Sequence, residues 1–320
     1  MILIFGGHGF VGQHVAHELI NRGEKVTVTG FSRALNVPLL AEALSSGQAR
    51  SVQVDITDPF AVMELVGKVR PEVMMDLTGY HPKALSPARD IQFRTSALLN
   101  MLEAARIYNV ERVVLMSSMD AYWGVDTADS PFREDDPVPL LEQDDHFIVQ
   151  SWVKKTLEVI GNLYRRQHGM NIVFVRASGI YGPYYRTWLH VPSRIARAAA
   201  GGGQFSDPLP FNEDGYDQVY VKDMARGISL VLLARQLQHP VYNIGAGRAP
   251  RYGEFLAAAR KAAPGFKLEL PSRSAGDARG VMEGRWMAID RARTELGYEP
   301  RFGIDEAMAE YIDWIASDLT

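Results

Sequence analysis

Seven residues near the start of the chain, Gly6-Gly7-His8-Gly9-Phe10-Val11-Gly12, have the types and spacing for chemistry on phosphate. Gly7, Gly9 and Gly12 fit the dinucleotide fingerprint, and Gly6 widens it to a GGxGxxG form. Glycines allow the sharp turn, let a pyrophosphate approach the backbone and permit close helix–strand packing, while the N–H groups of the following helix face the phosphates. An apolar strand precedes the motif and a helical pattern follows it, so Gly6, Gly9, Phe10, Val11 and Gly12 are expected to hold a dinucleotide. At the end of the second strand, NAD-binding versions of this motif place a carboxylate for the ribose 2′-hydroxyl. Here that residue is Gly30, followed by Phe31, Ser32 and Arg33. No carboxylate is left to repel a 2′-phosphate, and Ser32 with Arg33 can bind one, which favours NADP(H) over NAD(H).

These residues need a scaffold that aligns strand ends and helix starts. Apolar runs at Ile2–Phe5, Val26–Thr29, Ser51–Val54, Val73–Leu77, Arg112–Ser117 and Ile172–Val175 alternate with helical patterns at Val11–Asn21, Pro59–Lys68, Ile91–Tyr108 and Ile148–His168. Apolar strands without strict alternation, each followed by a helix, imply an α/β, doubly wound parallel-sheet Rossmann fold. Beyond residue 180, Pro, Gly and aromatic residues interrupt the pattern through Tyr181–Pro192 and Gly201–Pro210, and helices recur at Lys222–Ala234, Tyr252–Ala263 and Ile304–Ile315. The expected organisation is a dinucleotide-binding domain over 1–175, with 217–245 returning to it, and a smaller mixed C-terminal substrate lobe over 176–320. The 320 residues, 47% hydrophobic, suffice for a large core. Lys+Arg 34 against Asp+Glu 38 leaves no basic surplus for a nucleic-acid partner. With no cysteine, disulfides, thiolate nucleophiles and cysteine-ligated metals are excluded, and no metal site is expected. No signal peptide or membrane span is readable, so a cytoplasmic protein without a membrane partner is expected.

Further segments carry a resemblance through their order and spacing. They are Asp55-Ile56 within VQVDITDP, Leu77-Thr78-Gly79, LLNMLEAARIYNVERVVLMSS (98–118), RASGIYGP (176–183) and DQVYVKDMARGI (217–228). Tyr242-Asn243-Ile244-Gly245 and then Asp290 with Leu296-Gly297-Tyr298 complete the series. Over nearly its whole length the chain resembles the extended short-chain dehydrogenases/reductases, the NAD-dependent epimerase/dehydratase-like proteins. The resemblance implies that Asp55 and Ile56 contact adenine, that Leu77, Thr78 and Gly79 lie beside the adenosine, and that a homodimer forms through the long helices at Ile91–Tyr108 and Ile148–His168.

In that family the reaction centre is a Ser/Thr followed by a YxxxK motif, whose tyrosine exchanges a proton with the substrate oxygen while hydride moves at the nicotinamide. Aligning SSMDAYWG (117–124) and QSWVKKTLE (150–158) on these patterns puts Met119 at the Ser/Thr and Gln150 at the tyrosine, with Lys154 at the lysine and Glu158 four residues on. A glutamine amide does not titrate and a thioether donates nothing. Lys154 is then expected to keep its bonds to the nicotinamide ribose, while Asp120, Tyr122 or His146 replaces the proton donor. For each a plainer role stands beside the catalytic one: a turn cap for Asp120, packing for Tyr122, a solvated side chain for His146. On the substrate side, Tyr216 replaces the arginine that holds the diphosphate in nucleotide-sugar enzymes, and Gly179 replaces an asparagine. Trp123, Tyr181, Tyr184, Tyr185, Trp188 and Phe205, with Arg176 and Arg186 for an anionic group, suit a planar or apolar small molecule better than a sugar nucleotide. The leading expectation is an atypical NADP(H)-dependent enzyme acting on a non-nucleotide small molecule, by redox with a replaced proton donor or by a redox-neutral step. A catalytically silent NADP(H)-sensing protein and a nucleotide-sugar epimerase or dehydratase are the competing readings.

Overall fold

The computed structural model describes all residues except 32–36, 80–84, 126–130, 141–148, 202–204, 206–207, 275, 278–282 and 320. The chain forms β1 (Ile2–Phe5), α1 (Phe10–Asn21), β2 (Val26–Gly30), α2 (Ala41–Ser45), β3 (Ala49–Gln53), α3 (Pro59–Val69), β4 (Val73–Asp76), α4 (Pro87–Ile107) and β5 (Arg112–Ser118). It continues through α5 (Val149–His168), β6 (Ile172–Ala177), β7 (Gly179–Tyr181), α6 (Val191–Ala199), β8 (Gln218–Tyr220) and α7 (Val221–Leu233). Strand β9 (Val241–Ile244) and helices α8 (Tyr252–Ala262), α9 (Asp290–Leu296) and α10 (Ile304–Leu319) follow.

Seven strands make one sheet in the order β3-β2-β1-β4-β5-β6-β9. The pairs from β3 to β5 are parallel, with Ile2 opposite both Val26 and Val73, and Phe5 opposite Asp76. The chain winds outward from β1 to β3, then crosses back to place β4 on the other side of β1. In an open parallel sheet this reversal leaves a crevice outside the carboxyl ends of the strands, where ligands bind. Strand β1 is central, and Leu3, Ile4 and Phe5 are wholly buried. On one face Leu3, Phe5, Leu115 and Phe174 pack with Val62 and Val66 of α3 and Leu102 of α4. This supplies one of the two covered faces that uniformly apolar strands require.

Local chemistry sets the ends of the helices. Asp58 caps α3, accepting from the Phe60 N–H at 2.9 Å and the Ala61 N–H at 3.2 Å, with Pro59 in the first turn. Helix α4 starts at Pro87, a full turn before the apolar pattern that begins at Ile91. Proline is preorganised for that first position, and an Asp90–Arg94 ion pair of 2.9 Å spans the added turn. Strands β7 and β8, three residues each, are too short to announce themselves by periodicity. Among the described residues no helix is long and apolar enough to cross a membrane, and no cluster of three or more His, Asp or Glu residues could hold a metal.

The chain divides into two compact units. The first comprises residues 1–125, 136–176 and 225–242; the second comprises 126–135, 177–224 and 243–320. In the second, the wholly buried Asp217 accepts from the Ala246 N–H at 2.7 Å and the Met287 N–H at 3.2 Å, and burial pushes its carboxyl up to about 6. Tyr298 donates to the Gly245 carbonyl at 2.8 Å, and the Asn243 amide donates to the carbonyls of Phe132 and Ala288. The signature segments at 217, 243–245 and 298 are thus one hydrogen-bonded assembly. In the first unit, Arg112 opens β5 with a buried guanidinium that donates to the carbonyls of Val231, Leu232 and Ala234 at 3.1, 3.2 and 2.7 Å. It caps the carbonyl end of α7. Replacing Arg112 by Met strands those buried carbonyls, and urea denaturation is expected to show a loss of about 3 kcal/mol; unchanged stability would contradict this capping role.

Candidate functional site

The glycine turn is built by the exclusion of side chains. Gly6 has φ 76°, and a Cβ there would lie 2.5 Å from the Leu77 carbonyl oxygen. A Cβ at Gly12 would run into the Gly6 carbonyl oxygen and the Gly7 Cα. The Gly9 N–H donates to the Gly6 carbonyl at 2.9 Å, the His8 N–H to Thr29 at 3.2 Å and the Leu77 N–H to Phe5 at 2.9 Å. The turn therefore hangs between the ends of β2 and β4. Gly9, which has no side chain, is the N-cap of α1, so the helix begins directly on the turn. This combination of close backbone and helix N-terminus fits a dinucleotide pyrophosphate.

The other expected cofactor residues lie at neighbouring strand ends. Asp55 is exposed beyond β3, where its Oδ1 accepts from the Thr57 N–H and hydroxyl at 2.9 and 2.6 Å. Ile56 is tied to α4 by a 3.0 Å bond from the Asn100 amide to its carbonyl. Thr78 donates from its N–H and hydroxyl to Asp76 Oδ1 at 2.8 and 2.6 Å, while a Cβ at Gly79 would meet open space. Ser32 and Arg33 lie outside the described residues.

His8 has no role assigned by the sequence. A Cβ on Gly30 would fall inside its imidazole, and its Nε2 lies 2.7 Å from Ser51 Oγ. Half-burial pushes its pKa below the ordinary value. The histidine of the glycine motif thus rests on the glycine that stands at position 30.

The reaction centre follows β5. Met119 and Tyr122 are buried in a short helical turn, and Ser118 Oγ donates to Asp120 Oδ2 at 3.0 Å while accepting from the Asp120 N–H at 3.1 Å. Burial raises the Asp120 pKa. Lys154, buried on α5, donates to the Met116 carbonyl at 2.5 Å; burial lowers its pKa while the charges of Asp76, Asp120 and Glu158 oppose that shift. Asp76, the last residue of an otherwise apolar β4, is also buried with a raised pKa, burial again being the cause. It is a second carboxyl near Lys154 that the sequence reading missed, and an acid closing an apolar strand was the available signal. Gln150 is partly exposed one helical turn before Lys154, and His146 lies outside the described residues. A cavity of about 320 Å³ opens between α4 and α5, with Asp76, Thr78 and Lys154 lining it beside Ile91, Trp152 and Leu157.

The residues expected to meet substrate are mostly engaged within the protein. Arg176 is 4% exposed, pairs with Glu158 at 2.9 and 2.7 Å, and stacks over Tyr122 at 4.6 Å. Ser117 donates to the same glutamate at 2.5 Å, so Glu158 fastens α5 to β5 and β6. Trp123 is buried, and its carbonyl accepts from Lys155 at 2.9 Å. In the second unit Tyr181 is buried edge-on to Phe255, Tyr184 packs on Trp314 at 5.0 Å and Trp188 stacks on Tyr311. Arg186 pairs with Asp318 at 2.7 Å, and Phe205 lies under Arg194. Tyr216 hydroxyl and His190 Nδ1 are 2.8 Å apart, His190 stacks on Tyr185, and burial pushes the His190 pKa down to about 4. Removing Glu158 should leave the Arg176 charge buried and unpaired. Glu158→Leu is expected to cost about 3 kcal/mol in chemical denaturation and Glu158→Leu with Arg176→Met markedly less; equal losses would contradict the pairing.

Comparison with known proteins follows the same lines. The model of the NAD dependent epimerase/dehydratase family matches residues 2–245. The UDP-glucuronate 4-epimerase of Thermodesulfobacterium geofontis is 25% identical over 332 residues, covering 99% of this chain and 96% of its own. The crystal structure of a UDP-glucose 4-epimerase with UDP-glucose from Thermotoga maritima superposes with a TM-score of 0.82 at 23% identity, over 100% of this chain and 99% of its own. That of the Thermus thermophilus UDP-glucose 4-epimerase in complex with NAD gives 0.78 at 23% identity, over 98% of each chain.

Proposed function

Since the chain belongs to the NAD dependent epimerase/dehydratase family, we propose that it binds a nicotinamide dinucleotide on the Gly6–Gly12 turn and works as an epimerase- or dehydratase-type oxidoreductase on a nucleotide sugar. The observation that carries the proposal is the side-chain-free cradle at Gly6 and Gly12, closed against Leu77 and followed directly by the start of α1. NADP(H) is favoured over NAD(H) because no carboxylate stands at Gly30. The relatives bearing the names of UDP-glucuronate and UDP-glucose epimerases support a nucleotide sugar more than the non-nucleotide molecule favoured by the aromatic residues, since most of those aromatics pack internally.

When bound, the nicotinamide supplies hydride transfer. The residues around it must hold the ligand and move protons. Lys154 is assigned to the nicotinamide ribose, and the Gln150 amide can hold a substrate oxygen but cannot take its proton. Proton transfer then falls to Asp120, whose carboxyl burial holds toward the neutral, donating form. A catalytically silent NADP(H) sensor is the outcome if this replacement fails.

One observation favours a second substrate class. Tyr216, hydrogen-bonded to a histidine that burial keeps neutral, offers no cation to a diphosphate, which suits a non-nucleotide small molecule. The protein is also proposed to dimerise through α4 and α5, where Leu99, Ile107, Val159 and Leu163 are exposed.

Thermal shift separates these readings. NADP⁺ or NADPH should raise Tm by a few degrees and more than NAD⁺ or NADH at equal concentration. UDP-glucose, UDP-glucuronate or dTDP-glucose should add a further rise in the presence of cofactor. No rise with any of the four cofactors overturns the proposal, and a cofactor rise without a sugar-nucleotide rise moves it to the second substrate class. Once a turnover assay is in hand, Asp120→Asn should lower kcat by about 10²–10⁴-fold with cofactor affinity retained; an unchanged kcat rules Asp120 out as the proton donor.

A further inference from the structure

Position 30 ends β2, the place from which a side chain reaches the ribose 2′ position in a dinucleotide-binding sheet. In this protein the side chain of His8 covers that position. The imidazole of His8 occupies the volume a Cβ would fill, and its own backbone N–H is fixed by the Thr29 carbonyl at 3.2 Å. Its Nε2 is held at 2.7 Å from Ser51 Oγ on β3, the strand that flanks β2. Three adjoining pieces of the sheet edge, the glycine turn, β2 and β3, therefore meet at one imidazole.

We propose that His8, seated on Gly30 and oriented by Ser51, is the group that reads the ribose 2′ substituent and selects NADP(H). The inference rests on dinucleotide binding at this turn and deepens it. Two effects act together. The ring displaces the carboxylate that would accept from a 2′-hydroxyl, so NAD(H) loses its specific partner. The imidazole and the Ser51 hydroxyl share one hydrogen bond, which leaves one N–H or O–H of the pair to donate to a 2′-phosphate. The sequence alone assigns this task to Ser32 and Arg33.

Binding of NADP⁺ and NAD⁺ measured by isothermal titration to the intact protein tests the assignment. His8→Ala should weaken NADP⁺ by tenfold or more and change NAD⁺ by less than twofold, and Ser51→Ala should weaken NADP⁺ by a smaller factor. Gly30→Asp alone should lower Tm, because the new side chain collides with the imidazole. Gly30→Asp with His8→Ala should recover Tm and reverse the preference toward NAD⁺. Equal weakening of both cofactors by His8→Ala would mean that the histidine only supports the turn, and would overturn the assignment. Tight NAD⁺ binding by the unaltered protein without NADP⁺ binding overturns it while leaving the dinucleotide site intact. If the unaltered protein binds neither, the dinucleotide reading itself falls, and this assignment with it.

Discussion

Backbone must touch backbone at Gly6 and Gly12, and the rest of the site depends on it. A methyl group at either position would occupy the Leu77 carbonyl or the Gly6–Gly7 peptide. Their absence lets α1 begin immediately against the end of β1 and lets β4 run alongside without a gap. The crevice at the strand-order reversal thus has a floor of peptide groups rather than side chains. A pyrophosphate needs such a floor, because its oxygens are best met by N–H groups at short range. The same crowding extends sideways to position 30, where His8 takes the space that a side chain would otherwise claim.

The second constraint is buried charge. Lys154, Asp76 and Asp120 lie near one another at the ends of β4 and β5 and the start of α5, and burial pushes the two acids up and the lysine down, in each case toward the neutral form. In the same unit Arg176 and Glu158 answer burial differently, with a close two-point ion pair. The contrast separates a group of side chains able to exchange protons from a pair that fastens helix to sheet. Met119 and Gln150 carry no titrating group.

Much of the sheet was legible because apolar runs such as Ile2–Phe5 and Arg112–Ser117 can only be strands covered on both faces. The glycine turn was legible because its requirement is local, glycine by glycine. Orientation was not. Nothing in RASGIYGP distinguishes an arginine facing a ligand from one facing Glu158, and Trp123 and Tyr181 carry no mark of the packing that encloses them. The His8–Gly30 contact joins residues distant in sequence, and each looked ordinary alone: one a variable position in a motif, the other an absence. Ser32, Arg33 and His146 fall outside the described residues, so their assignments stand on the sequence.

The central claim is that a nicotinamide dinucleotide lies on the glycine turn, and titrating NADPH into the protein while following nicotinamide fluorescence tests it most directly. The account predicts a saturable change with the native chain and its loss in a folded Gly12→Val variant, whose added methyl groups must enter the space of the Gly6–Gly7 peptide. A Gly12→Val protein that folds and binds NADPH as tightly as the native chain would contradict it.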